Sequence, residues 1–316
     1  MQALTKRLTK VPDSKVGIVG CGLIGASWAA LFQAHGYRIT AWDPSQQVLQ
    51  DFSQRVSHIR ASVRDLELCE MLQEPRITVA SSLEELTRAC NFIQESAPET
   101  LDMKRQLFTQ IASASNPGTI VASSTSSLTW PELFEGISGN VKWLTAHPFN
   151  PPHIIPLVEI YGNDHQSVAE AVEIYRSLGK YPVVLKKPAV GHIANRLASA
   201  LWREAVDIVA KGIADPEDVD AALVQGPGLR WAIMGAHMVY HLGGGPGGIR
   251  DYLQHLGPSQ VRRWSSLGQS DLTPELCDLI SEGVERETSS MNVAELEALR
   301  DKSLAAVLKS RRTIPG

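Results

Sequence analysis

The sequence predicts an α/β fold: a doubly wound, mostly parallel sheet in the N-terminal part, followed by an all-α domain. Three observations predict it. From Lys15 to about Pro188, short β-branched runs alternate with longer amphipathic stretches. A glycine-rich turn, Gly20-Cys21-Gly22-Leu23-Ile24-Gly25, joins the first apolar run to the first amphipathic one. Beyond Pro188 the strand pattern ends and only helical periodicity remains. Strands that alternate with helices build parallel sheets covered on both faces, so the expected domains are residues 1–188 and 189–316.

Strands are expected at residues 16–19, 38–42, 77–79, 92–95, 119–122, 143–146, 157–161 and 181–185, with helices between most of them, such as 24–35 and 167–178. In the second domain Ala194, Leu197, Ala198, Leu201, Ala205, Ile208 and Val209 recur at helical spacing, which predicts a core-facing stripe. Arg203, Glu204, Asp207 and Lys211 fall on the opposite side. Asp215-Pro216 reads as an N-cap followed by proline in the first turn. Further helices are expected over 219–223, 231–241, 274–288 and 293–309.

A chain of 316 residues suffices for two domains. With 43% hydrophobic and 20% charged residues it has an ordinary globular composition. No apolar run reaches the ~18 residues a membrane span needs, so no membrane partner is expected. A net charge of −4 argues against a nucleic-acid partner, which asks for a basic face. Cys21, Cys69, Cys90 and Cys277 show no CxxC or metal-ligand spacing and read as reduced thiols, Cys21 as a small filler. Residues 1–10 lack the apolar core of a secretory signal, and the final Thr-Ile-Pro-Gly is no peroxisomal address. A cytoplasmic protein is expected.

The glycine turn carries the first functional signal. Gly20 permits a tight turn, Gly22 lets a pyrophosphate approach the backbone, and Gly25 lets the helix pack closely on the strand. Phosphates would then meet the free amides of Leu23, Ile24 and Gly25 at the positive end of that helix. A second strand follows and ends in Asp43, 18 residues past Gly25. A carboxylate there accepts from both adenosine ribose hydroxyls and repels a 2′-phosphate. The unit is therefore a Rossmann-like dinucleotide site that favours NAD over NADP.

Two later segments suggest chemistry. Ser123-Ser124-Thr125-Ser126-Ser127-Leu128 follows an apolar strand, at the strand end where ligands bind in α/β sheets. His147-Pro148-Phe149-Asn150-Pro151-Pro152-His153 follows another, with Glu159 farther on. Hydride removal from an alcohol needs a base for the hydroxyl proton. Histidine suits that task, and a carboxylate can fix its tautomer. His147 and Glu159 can form such a pair if the intervening loop folds back. His237 and His241 lie one helical turn apart, but no third ligand is evident and no metal is expected.

With these motifs together the chain resembles the 3-hydroxyacyl-CoA dehydrogenase superfamily. The resemblance covers the glycine motif, Glu95-Ser96-Ala97-Pro98-Glu99 with Lys104, the serine run, His147-Pro148-Phe149-Asn150-Pro151, Glu159 and Gly191-His192-Ile193-Ala194-Asn195-Arg196. It implies a Rossmann domain followed by a helical one that dimerises, hence a homodimer. It also implies His147 as general acid/base, Glu159 as its partner, and Ser126 and Asn195 as holders of the reacting oxygen. Glu99 and Lys104 would lie near the nicotinamide half of the cofactor; a solvated helix-surface pair is the other reading of those two.

Within the superfamily the chain most resembles the branch that includes L-carnitine dehydrogenase, lambda-crystallin and L-gulonate 3-dehydrogenase. That resemblance rests on 94–99, 200–205, 226–232 and the glycine-rich 241–250. It implies oxidation of an L-3-hydroxy acid by NAD in a cleft between the domains. Arg230 or Arg250 can pair with a free carboxylate, and Trp231 is the first aromatic candidate for a trimethylammonium group, or else a core or interface residue. Asn195 and Pro152-His153 depart from the carnitine pattern, and Asn195 agrees with the acyl-CoA enzymes. An L-3-hydroxyacyl-CoA dehydrogenase, a catalytically silent crystallin-like NAD binder and a redox-sensing binding module remain as alternatives.

Overall fold

The computed structural model describes residues 15–66 and 77–312. Cys69, the N-terminal segment 1–10 and the C-terminal 313–316 lie outside the described residues. The chain divides into two compact units, Met1–Arg196 and Leu197–Gly316.

The first unit runs β1 (Lys15–Val19), α1 (Leu23–Ala34), β2 (Arg38–Trp42), α2 (Gln46–Asp65), β3 (Ile77–Val79), α3 (Leu83–Ala89) and β4 (Phe92–Glu95). It continues through α4 (Leu101–Ala114), β5 (Ile120–Ser123), α5 (Trp130–Phe134), β6 (Lys142–Pro148), β7 (Leu157–Gly162), α6 (His165–Ser177) and β8 (Tyr181–Val184). Each strand falls where the sequence pattern puts it, apart from a residue or two at the ends. The strands form one sheet in the order β3-β2-β1-β4-β5-β6-β7-β8. Only β6 and β7 pair antiparallel; every other neighbouring pair is parallel.

The two-residue period of the strands supplies both cores. Phe92, Ile120 and Leu144 join one apolar cluster with α1, α2 and α6. Their neighbours Ile93, Val121 and Trp143 join the other with α3, α4 and α5. Burial on both faces explains why these strands read as continuous apolar runs. The chain builds outward from β1 to β3 and then crosses back to β4, so the crevice where strand order reverses lies at the carboxyl ends of β1 and β4.

The second unit takes up α7 (Ala194–Ala210) beyond Arg196, then α8 (Pro216–Gln225), α9 (Pro227–Trp231), α10 (Ala236–Gly243), a 3-10 turn (Gly245–Gly247) and α11 (Gly248–His255). It ends with α12 (Gly257–Ser266), α13 (Pro274–Glu287) and α14 (Val293–Arg312). No strand occurs among its described residues.

Three expectations are corrected here, and the N-cap at Asp215 is borne out. The single helix over 231–241 is two, because the chain turns after Trp231 and restarts from the extended Gly235. Helices α11 and α12 were hidden by the glycines and prolines that open them, positions a first turn tolerates. Asp215 does stand at the N-cap of α8, but only its backbone carbonyl is used, accepting from Asp218 and Val219. The stripe on α7 does not face a core along its length. Leu197, Ala198 and Leu201 are exposed, Val206 and Val209 are buried, and so is Asp207, expected on the polar side. Asp207 is drawn inward by Lys211 at 2.6 Å and the Ser270 hydroxyl at 2.6 Å, beside Gly268, where a side chain would collide with its carboxylate.

Candidate active site

The glycine turn is built as its spacing demands. Gly20 adopts φ +89°, and a Cβ there would lie 2.6 Å from the Ser96 backbone. A Cβ on Gly25 would lie 1.9 Å from the Gly20 carbonyl oxygen, so helix and turn touch through backbone alone. Above Gly22 nothing lies within 4 Å. Helix α1 opens there with no side chain capping it, which leaves the amides of Leu23, Ile24 and Gly25 free of side-chain acceptors. This opening fits an anionic pyrophosphate.

Asp43 follows β2 beside that turn. Its Oδ2 accepts from the Cys21 amide at 2.8 Å and its Oδ1 from the Ser45 amide at 2.9 Å, which fixes the carboxylate and leaves each oxygen able to accept again. A cavity of about 590 Å³, lined by Gly20, Gly22, Asp43, Val48, Ser96 and Leu107 among others, adjoins it. Its mixture of apolar wall and one fixed carboxylate suits a dinucleotide, with adenosine at the Asp43 end. Burial pushes the Cys21 thiol up to about 12, helped by Asp43, so Cys21 is a filler and not a nucleophile. Sequence reasoning missed Arg55, whose guanidinium donates to the Cys21 carbonyl at 2.8 Å and braces the turn from α2.

His147 and Glu159 meet as direct cross-strand partners of the antiparallel pair β6–β7. No folded-back loop is required. His147 Nδ1 lies 2.9 Å from Glu159 Oε2, and both side chains are buried. A carboxylate only accepts, so the proton sits on Nδ1 and Nε2 carries the lone pair. The other carboxylate oxygen accepts from the Ile193 and Ala194 amides at 2.8 and 3.0 Å, at the opening of α7. Burial works to raise the Glu159 pKa. The His147 hydrogen bond and the two amides outweigh it, and the carboxyl lies below the usual carboxylate range.

Asn195 Nδ2 stands 3.4 Å from His147 Nε2. Ser126 is placed by its backbone, whose amide donates to Glu99 Oε1 at 2.9 Å. That same oxygen also accepts from the Thr125 hydroxyl and the Ser127 and Leu128 amides, so Glu99 holds the whole serine turn. Burial raises its pKa and is overcome by those donors and by Lys104.

Lys104 is not half of a solvated pair. It is 1% exposed and bonds Glu95 at 2.7 and 3.0 Å, with Glu99 at 3.9 Å. Glu95, which sequence reasoning quoted without a role, also takes the Ser123 hydroxyl and the Ala97 amide.

His192 was missed as well. Its ring stacks on His147 at 4.9 Å between centroids, 17° from parallel, and its backbone takes φ +51°. The only hint in the sequence was an aromatic, titratable residue beside Gly191. Arg230 and Trp231 on α9 and Arg250 on α11 are exposed in the second unit. His241, weighed as a metal ligand, accepts the Ile249 amide through Nδ1.

A helix opening that fits a pyrophosphate, a fixed carboxylate beside it and a buried histidine–carboxylate pair across β6 and β7 together suit a dinucleotide-dependent oxidoreductase. Comparison with known proteins agrees. Residues 15–188 match the NAD-binding domain of 3-hydroxyacyl-CoA dehydrogenase, and residues 191–285 match its C-terminal domain. The chain belongs to the 3-hydroxyacyl-CoA dehydrogenase family and is an NAD-dependent dehydrogenase. It is 38% identical to an L-carnitine dehydrogenase of Streptomyces griseus, over 95% of this chain and 91% of that one. It is 40% identical to an L-carnitine dehydrogenase of Pseudomonas sp, over 92% of each. The crystal structure of 5-formyl-3-hydroxy-2-methylpyridine-4-carboxylic acid 5-dehydrogenase, an NAD+-dependent dismutase, superposes with a TM-score of 0.73 at 25% identity, over 95% of this chain and 99% of that one.

Proposed function

We propose that the protein oxidises an L-3-hydroxy acid to the 3-oxo acid, with His147 and Glu159 as the acid/base pair. The observation that carries this reading is the 2.9 Å bond from His147 Nδ1 to a carboxylate that is itself held by two backbone amides. NAD, when bound, supplies the hydride acceptor. As the C–H hydride leaves the alcohol carbon, Nε2 of His147 takes the hydroxyl proton and Glu159 steadies the imidazolium. Ser126 and Asn195 hold the alcohol oxygen, so the proton and the hydride depart from one fixed geometry.

A small free acid of the carnitine type is the favoured substrate, supported by the relatives at 38 and 40% identity over nearly the whole chain. Arg230, Arg250 and Trp231 are the residues offered for its carboxylate and cationic ends. A coenzyme A thioester is the second reading, favoured by Asn195 beside the base. The test is NADH production from L-carnitine, L-gulonate, 3-hydroxybutyrate and a 3-hydroxyacyl-CoA, with His147→Gln as control. Turnover on none of them, with NADH still bound, would favour the crystallin-like or sensing alternative.

A homodimer goes with this reading. The second unit's own buried cluster consists of Val206, Val209 and Leu276, while Leu197 and Trp202 on α7 are 67% and 57% exposed. An apolar helix face beside so small a core suits a second copy of the chain. A cytoplasmic setting would keep the buried thiols Cys21 and Cys90 reduced.

A further inference from the structure

Ser124, just past β5, is the hub of a hydrogen-bond network that the proposed chemistry does not use. Trp28 Nε1 lies 3.1 Å from its hydroxyl oxygen, Gln94 Nε2 2.9 Å and the Ser96 hydroxyl 2.9 Å. The direction of every bond is fixed by its partners. An indole N–H can only donate. The Gln94 amide is oriented from its far side: the Ala122 carbonyl, 3.1 Å away, only accepts and so faces Nε2. The Tyr175 hydroxyl donates to Oε1 at 2.6 Å. Tyr175 is fully buried, which pushes its pKa up and keeps that donor proton in place.

Two donors therefore fill both lone pairs of Ser124, and its single proton has Ser96 as acceptor. Ser96 accepts, and its own proton is left over. Ser96 is half-buried and lines the cavity shared by Gly20, Gly22 and Asp43. Its backbone is anchored there too, since the Ser96 amide donates to the Val19 carbonyl at 2.7 Å. Strand order settles which side of the turn it occupies. With β2, β1 and β4 consecutive, Asp43 and Ser96 flank the Gly20 turn from opposite sides. If Asp43 takes the adenosine ribose, Ser96 faces the part of the dinucleotide beyond the first phosphate.

We propose that Ser96 is a cofactor-contacting residue, its hydroxyl preset by Ser124 as a donor to an acceptor oxygen of the second phosphate or the nicotinamide ribose. The proposal rests on NAD as cofactor. A donor whose orientation is already fixed loses little entropy on binding, so it contributes close to a full hydrogen bond.

The test is titration of wild type and Ser96→Ala with NADH, ADP-ribose and AMP, alongside thermal melts of both proteins and of Ser124→Ala. The expected result is Ser96→Ala binding NADH and ADP-ribose roughly 5- to 10-fold more weakly, the size of one hydrogen bond. AMP affinity should match wild type, and the melt should fall less than that of Ser124→Ala, since only the half-buried Ser124 proton loses its acceptor. Ser124→Ala, which strands the Trp28 indole N–H, should melt lower. Equal NADH affinity in wild type and Ser96→Ala overturns the proposal. So does an equal weakening of AMP, or a Ser96→Ala melt as low as that of Ser124→Ala. Wild-type protein that binds no NADH overturns the cofactor assignment itself, a separately visible failure.

Discussion

His192 lies flat on His147, ring centroids 4.9 Å apart and planes 17° from parallel, and both rings are buried. The left-handed backbone at His192 does two jobs. It lays the ring on the base and turns the next two amides toward Glu159. Burial, and then the charge of His147, hold the His192 pKa below its usual 6.5. The folded protein thus binds that proton less readily than the unfolded chain, so stability declines as pH falls through 6.5. His192→Phe keeps a flat ring and removes the titration. The variant should melt within a few degrees of wild type near pH 7 and lose less stability than wild type by about pH 5. Parallel melting curves at the two pH values would sink this account.

Gly25 has no room for a methyl group. A Cβ would sit 1.9 Å from the Gly20 carbonyl oxygen, and neither backbone can yield without moving α1 off β1. Gly25→Ala should lose about 2–4 kcal/mol of stability, comparable to severe overpacking, and bind NADH poorly. Gly22→Ala meets open space in the free protein and should fold normally, its defect confined to cofactor affinity. Denaturant melts and NADH titrations of the two variants separate these outcomes.

The glycine turn and the eight strands were legible because each rests on a local rule: backbone room at Gly20 and Gly25, and two-residue alternation with burial on both faces. The pairing of His147 with Glu159 was legible as chemistry but not as geometry, since antiparallel register is set by the partner strand. Lys104 misled because sequence shows a charge but not its burial; Glu95 beneath it is what admits it to the core. The second unit was least legible. Helices α11 and α12 open on glycine and proline, and the stripe on α7 reads the same whether it faces its own core or another surface.

Glu95 and Lys104 form an ion pair with side chains 0% and 1% exposed. Removing one partner leaves the other charge buried without its counterion. Lys104→Met should therefore cost about 3–5 kcal/mol, while Glu95→Gln with Lys104→Met should recover part of that loss. Chemical denaturation of the two single variants and the double variant measures the coupling. Additive losses would mean that the Ser123 and Ala97 donors satisfy Glu95 without the lysine.

The exposed face of α7 gives the assembly its test. Leu197, Leu201 and Trp202 are 67%, 39% and 57% exposed on consecutive turns of one helix. Covering the exposed 57% of such a tryptophan removes roughly 85–140 Å² from water, about 2–3.5 kcal/mol of association free energy at about 25 cal/mol per Å². Trp202→Glu sets a charge on that face. If a second copy covers the face, light scattering should give a dimer mass for wild type at micromolar concentration and a lower mass for Trp202→Glu. Its NADH affinity should stay near that of wild type, because the glycine turn and Asp43 belong to the first unit. A wild-type monomer mass would refute the dimer. An unchanged dimer in Trp202→Glu would move the interface to another face of the helical unit.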